Sequence, residues 1–222
     1  MSAAPGPEAR VVLRPLATPL PLGFLALAGG TLMMSGLELG WIGASEREQV
    51  GVILLAFVVP LQLVSSVLGF AARDVVAGTA MGVLAGTWLS SSLVLLTTAA
   101  GARSDALGTI LALAAVALLV PALAAAGTKV VPAAVVATSS ARFAVTGADE
   151  LGAEAMRRPA GVVGLALCAL AVYAALALAL EDARGRTVLP VGRRGGGRRA
   201  IDGSLADQLA DVAREAGVRR GL

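Results

Sequence analysis

Residues 159–180 read PAGVVGLALCALAVYAALALAL, twenty-two positions without a single charged side chain. A helix at the surface of a soluble protein keeps one polar face for water, and this one has none to offer. At 1.5 Å per residue such a helix is about 33 Å long, against roughly 30 Å for the hydrocarbon of a bilayer. The segment is therefore read as a membrane-crossing helix, and the rest of the chain repeats its pattern. Charge is absent from Pro15 to Leu37, from Gln49 to Ala72, from Val75 to Ala102 and from Ala106 to Thr128. A sixth apolar stretch, Val130 to Ala148, is interrupted by Arg142.

The whole composition agrees. Of 222 residues 57% are hydrophobic, and the mean hydropathy is +0.82. A soluble domain of this length needs more polar surface. The fold class is all-α: a polytopic membrane protein with six transmembrane helices in a bundle. The spans are placed at about Leu20–Trp41, Gln49–Phe70, Val75–Thr98, Ala106–Ala126, Val130–Ala148 and Ala160–Leu180. Short connections force consecutive helices to run antiparallel and leave no room for an extramembrane domain. Residues 1–17 form an N-terminal tail, 18–192 the membrane domain, and 193–222 a basic, flexible Gly/Arg linker followed by a short amphipathic helix. That helix is predicted to begin at Ser204, with Asp207 completing a capping-box-like start and Leu205, Leu209 and Val212 on one face. Ala26-Leu27-Ala28 resembles a signal-peptidase site, but the apolar run continues to Leu37 and the preceding segment is Pro-rich. It is read as an uncleaved first span.

Several function classes fall away. The chain has no histidine, which removes Ser-His and Cys-His pairs and imidazole metal sites. Its one cysteine, Cys168, lies inside the last span, where no internal disulfide is available. No Gly-rich nucleotide loop occurs. The only lysine, Lys129, sits in a loop, and no two aspartates share a depth, so an intramembrane protease has no nucleophilic pair. The expectation is a non-enzyme without metal or cofactor. The net charge of +3 is concentrated in the C-terminal tail and gives no reason to expect nucleic acid as a partner. Six spans put both termini on one side. The tail arginines Arg10, Arg14, Arg184, Arg186, Arg193, Arg194, Arg198 and Arg199 outweigh Arg47, Arg103, Arg157 and Arg158 opposite, which places the termini in the cytoplasm of an inner (plasma) membrane protein.

Within the spans, Gly78, Gly82 and Gly86 recur at every fourth position and are read as a helix-packing face. Gln62 lies on a stripe with Ser65, Ser66 and Gly69. Unlike serine it cannot easily bond its own helix carbonyls, so it faces a partner or a pore. Arg142 follows three hydroxyl residues, Thr138, Ser139 and Ser140. A central arginine costs roughly 2.5–3.5 kcal/mol on insertion scales, so it needs water, a carboxylate partner or an anion. Two readings stand: attraction of a small carboxylate, or pairing with Glu38, Asp149 or Glu150. Pro19 and Pro21 open the first span in positions where a missing amide hydrogen costs nothing.

Two segments are more specific. Thr18-Pro-Leu-Pro-Leu-Gly23 resembles the Asn-Pro-Ala-Pro-Leu-Gly signature that opens the first span in the acetate/succinate transporter family, the YaaH-like acetate uptake transporters. Gly185-Arg-Thr-Val-Leu-Pro-Val-Gly192 resembles that family's ending just past the sixth span, with seven of eight residues identical. The resemblance implies six-helix protomers assembled as homohexamers, with one pathway through each for acetate and related short carboxylates. It places Thr18, Pro19, Leu20, Pro21, Leu22 and Gly23 at the substrate pathway. The family's narrow gate uses an aromatic in the first span, a tyrosine in the third and a leucine in the fifth. Matching the spans puts Leu27, Ala85 and Phe143 at or near those positions, a wider and less polar constriction. The leading Asn is Thr18 here, which loses an amide donor, and no family arginine matches Arg142.

The sequence therefore points to a carrier or channel for small monocarboxylates such as acetate, with succinate possible and a proton as the expected companion. Its partners are small carboxylate anions, the lipid bilayer and further copies of itself. The rival reading is a non-transporting membrane scaffold or sensor whose tail recruits a partner.

Overall fold

A computed structural model describes residues 16–203. Six helices are long and apolar enough to cross a membrane: α1 (Leu20–Leu39), α2 (Ala44–Ala71), α3 (Val75–Thr97), α4 (Asp105–Ala126), α5 (Val130–Glu150) and α6 (Glu154–Arg184). Each predicted span is found as one helix. α2 and α6 begin earlier than their charge-free runs, at 3-10 turns over Ala44–Glu46 and Glu154–Met156. Their first turns are polar and reach beyond the hydrocarbon.

Each helix packs on its neighbours in sequence, and α6 returns to pack on α1, so the six close into a ring. Between apolar helices in lipid there is no hydrophobic drive to associate, so close backbone contact and interhelical hydrogen bonds must hold them. Both are present. A Cβ at Gly69 on α2 would lie 2.8 Å from the Gly78 nitrogen on α3. A Cβ at Gly147 on α5 would lie 3.0 Å from the Gly108 oxygen on α4. Serine hydroxyls donate across these contacts: Ser66 to Gly78 O at 2.8 Å, Ser92 to Gly51 O at 2.6 Å and Ser140 to Ala115 O at 2.6 Å.

The glycine face of α3 needs one correction. Gly78 meets Phe70 and Gly82 meets Ser66, but Gly86 is exposed and nothing approaches its Cβ position. Eight residues at 3.6 per turn rotate the helix by about 80°, which carries Gly86 off the α2 contact. Pro60 lies inside α2 and removes a backbone donor from the helix ladder. The helix widens to π geometry over Leu54–Val58, just before it.

Between α2 and α3 the chain turns at Arg73, whose φ is 61°. The Asp74 side chain then caps α3 by accepting from Ala77 N at 2.9 Å. After α6, residues 185–194 fold back over the start of α5. Val130 N donates to Gly192 O and Val131 N to Val191 O, both at 3.1 Å, while Tyr173 donates to Pro190 O at 2.9 Å. Val191 is buried, and Arg193 ion-pairs with Glu181 of α6.

The linker predicted as flexible from Arg193 is thus clasped to the bundle and continues into a short helix, α7 (Gly195–Asp202). Composition misleads here because the anchors are tertiary: Glu181 for the Arg193 guanidinium and Thr128 O for the Arg194 amide, at 2.9 Å. The amphipathic helix predicted from Ser204 lies outside the described residues.

Candidate functional site

The ring has a mouth at each end. At the end holding the start of α1, a small cleft of about 90 Å³ is lined by Leu20, Phe24, Asp74, Met81, Lys129 and Val136 among others. The opening motif stands beside it. Pro19, Leu20 and Gly23 are buried, and Thr18, Pro21 and Leu22 are half-buried. Two side chains of α2 grip its backbone. Ser65 donates to Pro19 O at 3.2 Å, and Gln62 Nε2 reaches Gly23 O at 3.5 Å. Gln62 is fully buried, and its Oε1 has no hydrogen-bond partner. Gly23 is a glycine for room: a Cβ there would collide with Met81 Sδ and sit 3.1 Å from Ser65 Oγ.

Deeper in, the ring is filled by apolar side chains. Leu27, Ala85 and Phe143 are all buried. The bulk, however, comes from Phe24, Met81, Leu84 and above all Trp88, the largest fully buried side chain among the described residues. Trp88 and Phe143 meet edge to face, with ring centroids 6.0 Å apart. Gly30 of α1 makes the room, since a Cβ there would lie 3.0 Å from the indole. The Trp88 Nε1 hydrogen has no acceptor. Sequence reasoning named Ala85 and passed over Trp88, one turn away. The available signal was a tryptophan between Thr87 and Ser91, two hydroxyl residues at helical spacing on the same span.

The opposite mouth is a vestibule of about 490 Å³ lined by Glu38, Arg47, Arg103, Thr146, Asp149 and Arg157 among others. Most of its charges are tied to the frame. Arg47 caps the end of α3, donating to Leu95 O at 2.9 Å, to Thr98 O, and to Thr98 Oγ1 at 2.8 Å. Arg103 lies 3.1 Å from Glu154 and 3.8 Å from Asp149. Glu150 accepts from Ser104 N at 2.8 Å.

Arg142 sits below this floor, 2% exposed. Of the three carboxylates considered for it, the fold delivers Glu38. Arg142 Nη2 is 2.8 Å from Glu38 Oε1 and 2.7 Å from Oε2. Nη1 donates to Thr146 Oγ1 at 2.6 Å. The ring closure of α1 on α6, with α5 beside it, brings together residues 104 positions apart. Gln62 and Arg142 therefore attend opposite mouths, with the apolar plug between them. Among the described residues no cluster of His, Cys, Asp or Glu side chains has the makings of a metal site.

Comparison with known proteins places this geometry. Among solved structures, one described as the bacterial acetate channel SatP superposes with a TM-score of 0.71 at 25% sequence identity. The match covers 80% of this chain and 99% of that one. No curated protein sequence matches. Residues 2–192 match the profile of the GPR1/FUN34/yaaH family. The chain is a multi-pass membrane protein that belongs to the GPR1/FUN34/yaaH family.

Proposed function

We propose that this chain is a channel or carrier for small monocarboxylates, acetate foremost. One observation carries the reading: a closed ring of six helices has a charged vestibule at one end, a small, largely apolar cleft edged by Asp74, Thr128 and Lys129 at the other, and an apolar plug between, in a fold matched by a bacterial acetate channel. A carboxylate arriving at the α1 mouth meets Lys129, the hydrophilic edge of Thr18 and the buried Gln62 amide. It then sheds water to pass Phe24, Leu27, Ala85, Trp88 and Phe143, a step that discriminates by size and charge. A monocarboxylic acid crosses most easily with its own proton, which makes flux proton-linked without a histidine relay. Succinate, with a second carboxylate to dehydrate, passes more slowly.

The protein works as a transporter and not as an enzyme. It lies in the inner (plasma) membrane with both termini in the cytoplasm, because Arg73, Lys129, Arg184, Arg186, Arg193, Arg194 and Arg198 gather at that end. Exposed apolar residues such as Val52, Phe57, Val64 and Val67 on α2 face lipid or sister protomers of a homo-oligomer, a hexamer by family resemblance.

Uptake of labelled acetate into proteoliposomes tests the function, with and without an inward proton gradient. Gradient-stimulated uptake is expected. Uptake insensitive to the gradient reduces the protein to an anion channel, and no uptake at all refutes the reading.

A further inference from the structure

The Arg142–Glu38 pair is poorly matched for a permanent bridge. A guanidinium binds a carboxylate best through two parallel N–H···O bonds, one oxygen on each of two nitrogens. Here both oxygens of Glu38 crowd the same nitrogen, Nη2, at 2.7 and 2.8 Å. The neighbouring Nε–H is buried without a partner. Ser35 Oγ, fully buried one turn before Glu38, is also without a partner. Both unused groups border Gly164 of α6, where a Cβ would lie 2.9 Å from Nε and would collide with Ser35 Oγ. Two idle polar groups and an absent side chain thus meet at one wall. Access is through Glu38, which lines the vestibule while Arg142 lies behind it.

We propose that Arg142 is a second carboxylate-binding site and that Glu38 is its tethered occupant. A free small carboxylate from the vestibule exchanges for Glu38. It takes Nε and Nη2 together and accepts from Ser35, while Glu38 swings into the vestibule. The site suits a compact monocarboxylate such as formate, acetate or propionate. The vestibule's character as a mouth of the pathway rests on the function proposed above, but binding at Arg142 does not require transport.

The test uses the purified full-length protein and thermal unfolding in sodium acetate against sodium chloride at equal ionic strength. Glu38→Ala leaves the buried guanidinium without a counter-ion, and acetate should refill the vacancy. Acetate is expected to raise the Tm of Glu38→Ala well beyond its effect on wild type. Acetate should also half-saturate that shift at a concentration about tenfold lower or more, the factor expected if the tethered carboxylate occupies the site nine-tenths of the time. Glu38→Ala/Arg142→Ala, which removes both charges, should show no acetate-specific shift. If Glu38→Ala does not fold, Glu38→Gln, of nearly the same shape, takes its place.

An equal response to acetate and chloride, or the same acetate shift in the double variant, overturns the proposal. Uptake by wild type is scored separately. Transport without rescue removes this site and leaves the function, whereas rescue without transport keeps the site and removes the function.

Discussion

Replacing Trp88 by alanine should make the protein less stable and a faster conductor at once. Trp88 is 2% exposed, stacked edge to face on Phe143 and seated against Gly30. Its removal leaves a void that rigid neighbouring helices fill only partly, at a cost of about 3–5 kcal/mol for a buried aromatic truncated to alanine. The same void lets a passing carboxylate keep part of its hydration. One retained hydrogen bond to a charged group is worth roughly 1.5–3 kcal/mol. If dehydration at this plug limits flux, that gain lowers the barrier by the same amount, roughly a ten- to 150-fold rise in rate.

Initial rates of labelled acetate and butyrate uptake, in proteoliposomes of matched protein content, read the effect. Butyrate should gain more than acetate, because size selection is what the indole supplies. Trp88→Phe keeps an apolar ring in place and should stay close to wild type, which separates bulk from loss of the indole N–H. A folded Trp88→Ala protein with unchanged rates for both acids would place the limiting step elsewhere and refute the plug.

Three further outcomes follow from the contacts. Gly69→Ala drives a Cβ to 2.8 Å from the α3 backbone at Gly78, and overpacking of this kind costs about 1–3 kcal/mol; thermal unfolding in detergent should report a lower Tm. Arg142→Ala strands Glu38 and should cost about 3–5 kcal/mol, as removal of one partner of a buried pair does; acetate uptake should fall most at low substrate concentration, and an unchanged apparent affinity would leave Arg142 a structural role alone. Truncation after Gly203 keeps the Arg193–Glu181 clasp and should leave uptake intact, whereas truncation after Thr187 removes Val191 and Arg193 and should lower the Tm; uptake by neither the full chain nor the Gly203 truncation would favour the non-transporting scaffold.

The spans were legible because the bilayer imposes one strict rule. Runs such as Val75–Thr97 and Pro159–Leu180 must be helices, since every backbone group within the hydrocarbon has to be bonded within the segment. The faces were not legible, for the same reason: exposed Val116 and Leu123 and interior Leu111 and Leu118 are alike in hydropathy, so α4 has no polar side to mark its outside. Trp88 shows a related difficulty. Tryptophan in a span is usually read as an interfacial anchor, and only the α1–α3 contact at Gly30 puts this one in the ring's interior. Gln62 was readable because an amide in hydrocarbon needs a purpose. Its partner, the Gly23 carbonyl, and the Pro19 carbonyl that Ser65 holds beside it were not readable, because both depend on the crossing of α1 and α2.

Arg142 marks the limit more sharply and suggests why the residue is tolerated. Its cost in hydrocarbon made it conspicuous, and Glu38 was one of three carboxylates available to answer it. Choosing among the three required the ring. Asp149 and Glu150 end α5 and are drawn outward, to Arg103 and to the Ser104 amide at the start of α4. Glu38 ends α1, which packs on α6, and it lies between the vestibule and the guanidinium. A buried pair adds little net stability beyond what apolar side chains of the same volume would give, so stability alone is a weak reason to keep it. A pair that blocks a carboxylate site with a carboxylate has another use. It holds a positive charge in place beneath the vestibule without leaving it bare, and it surrenders that charge to a ligand of matching chemistry.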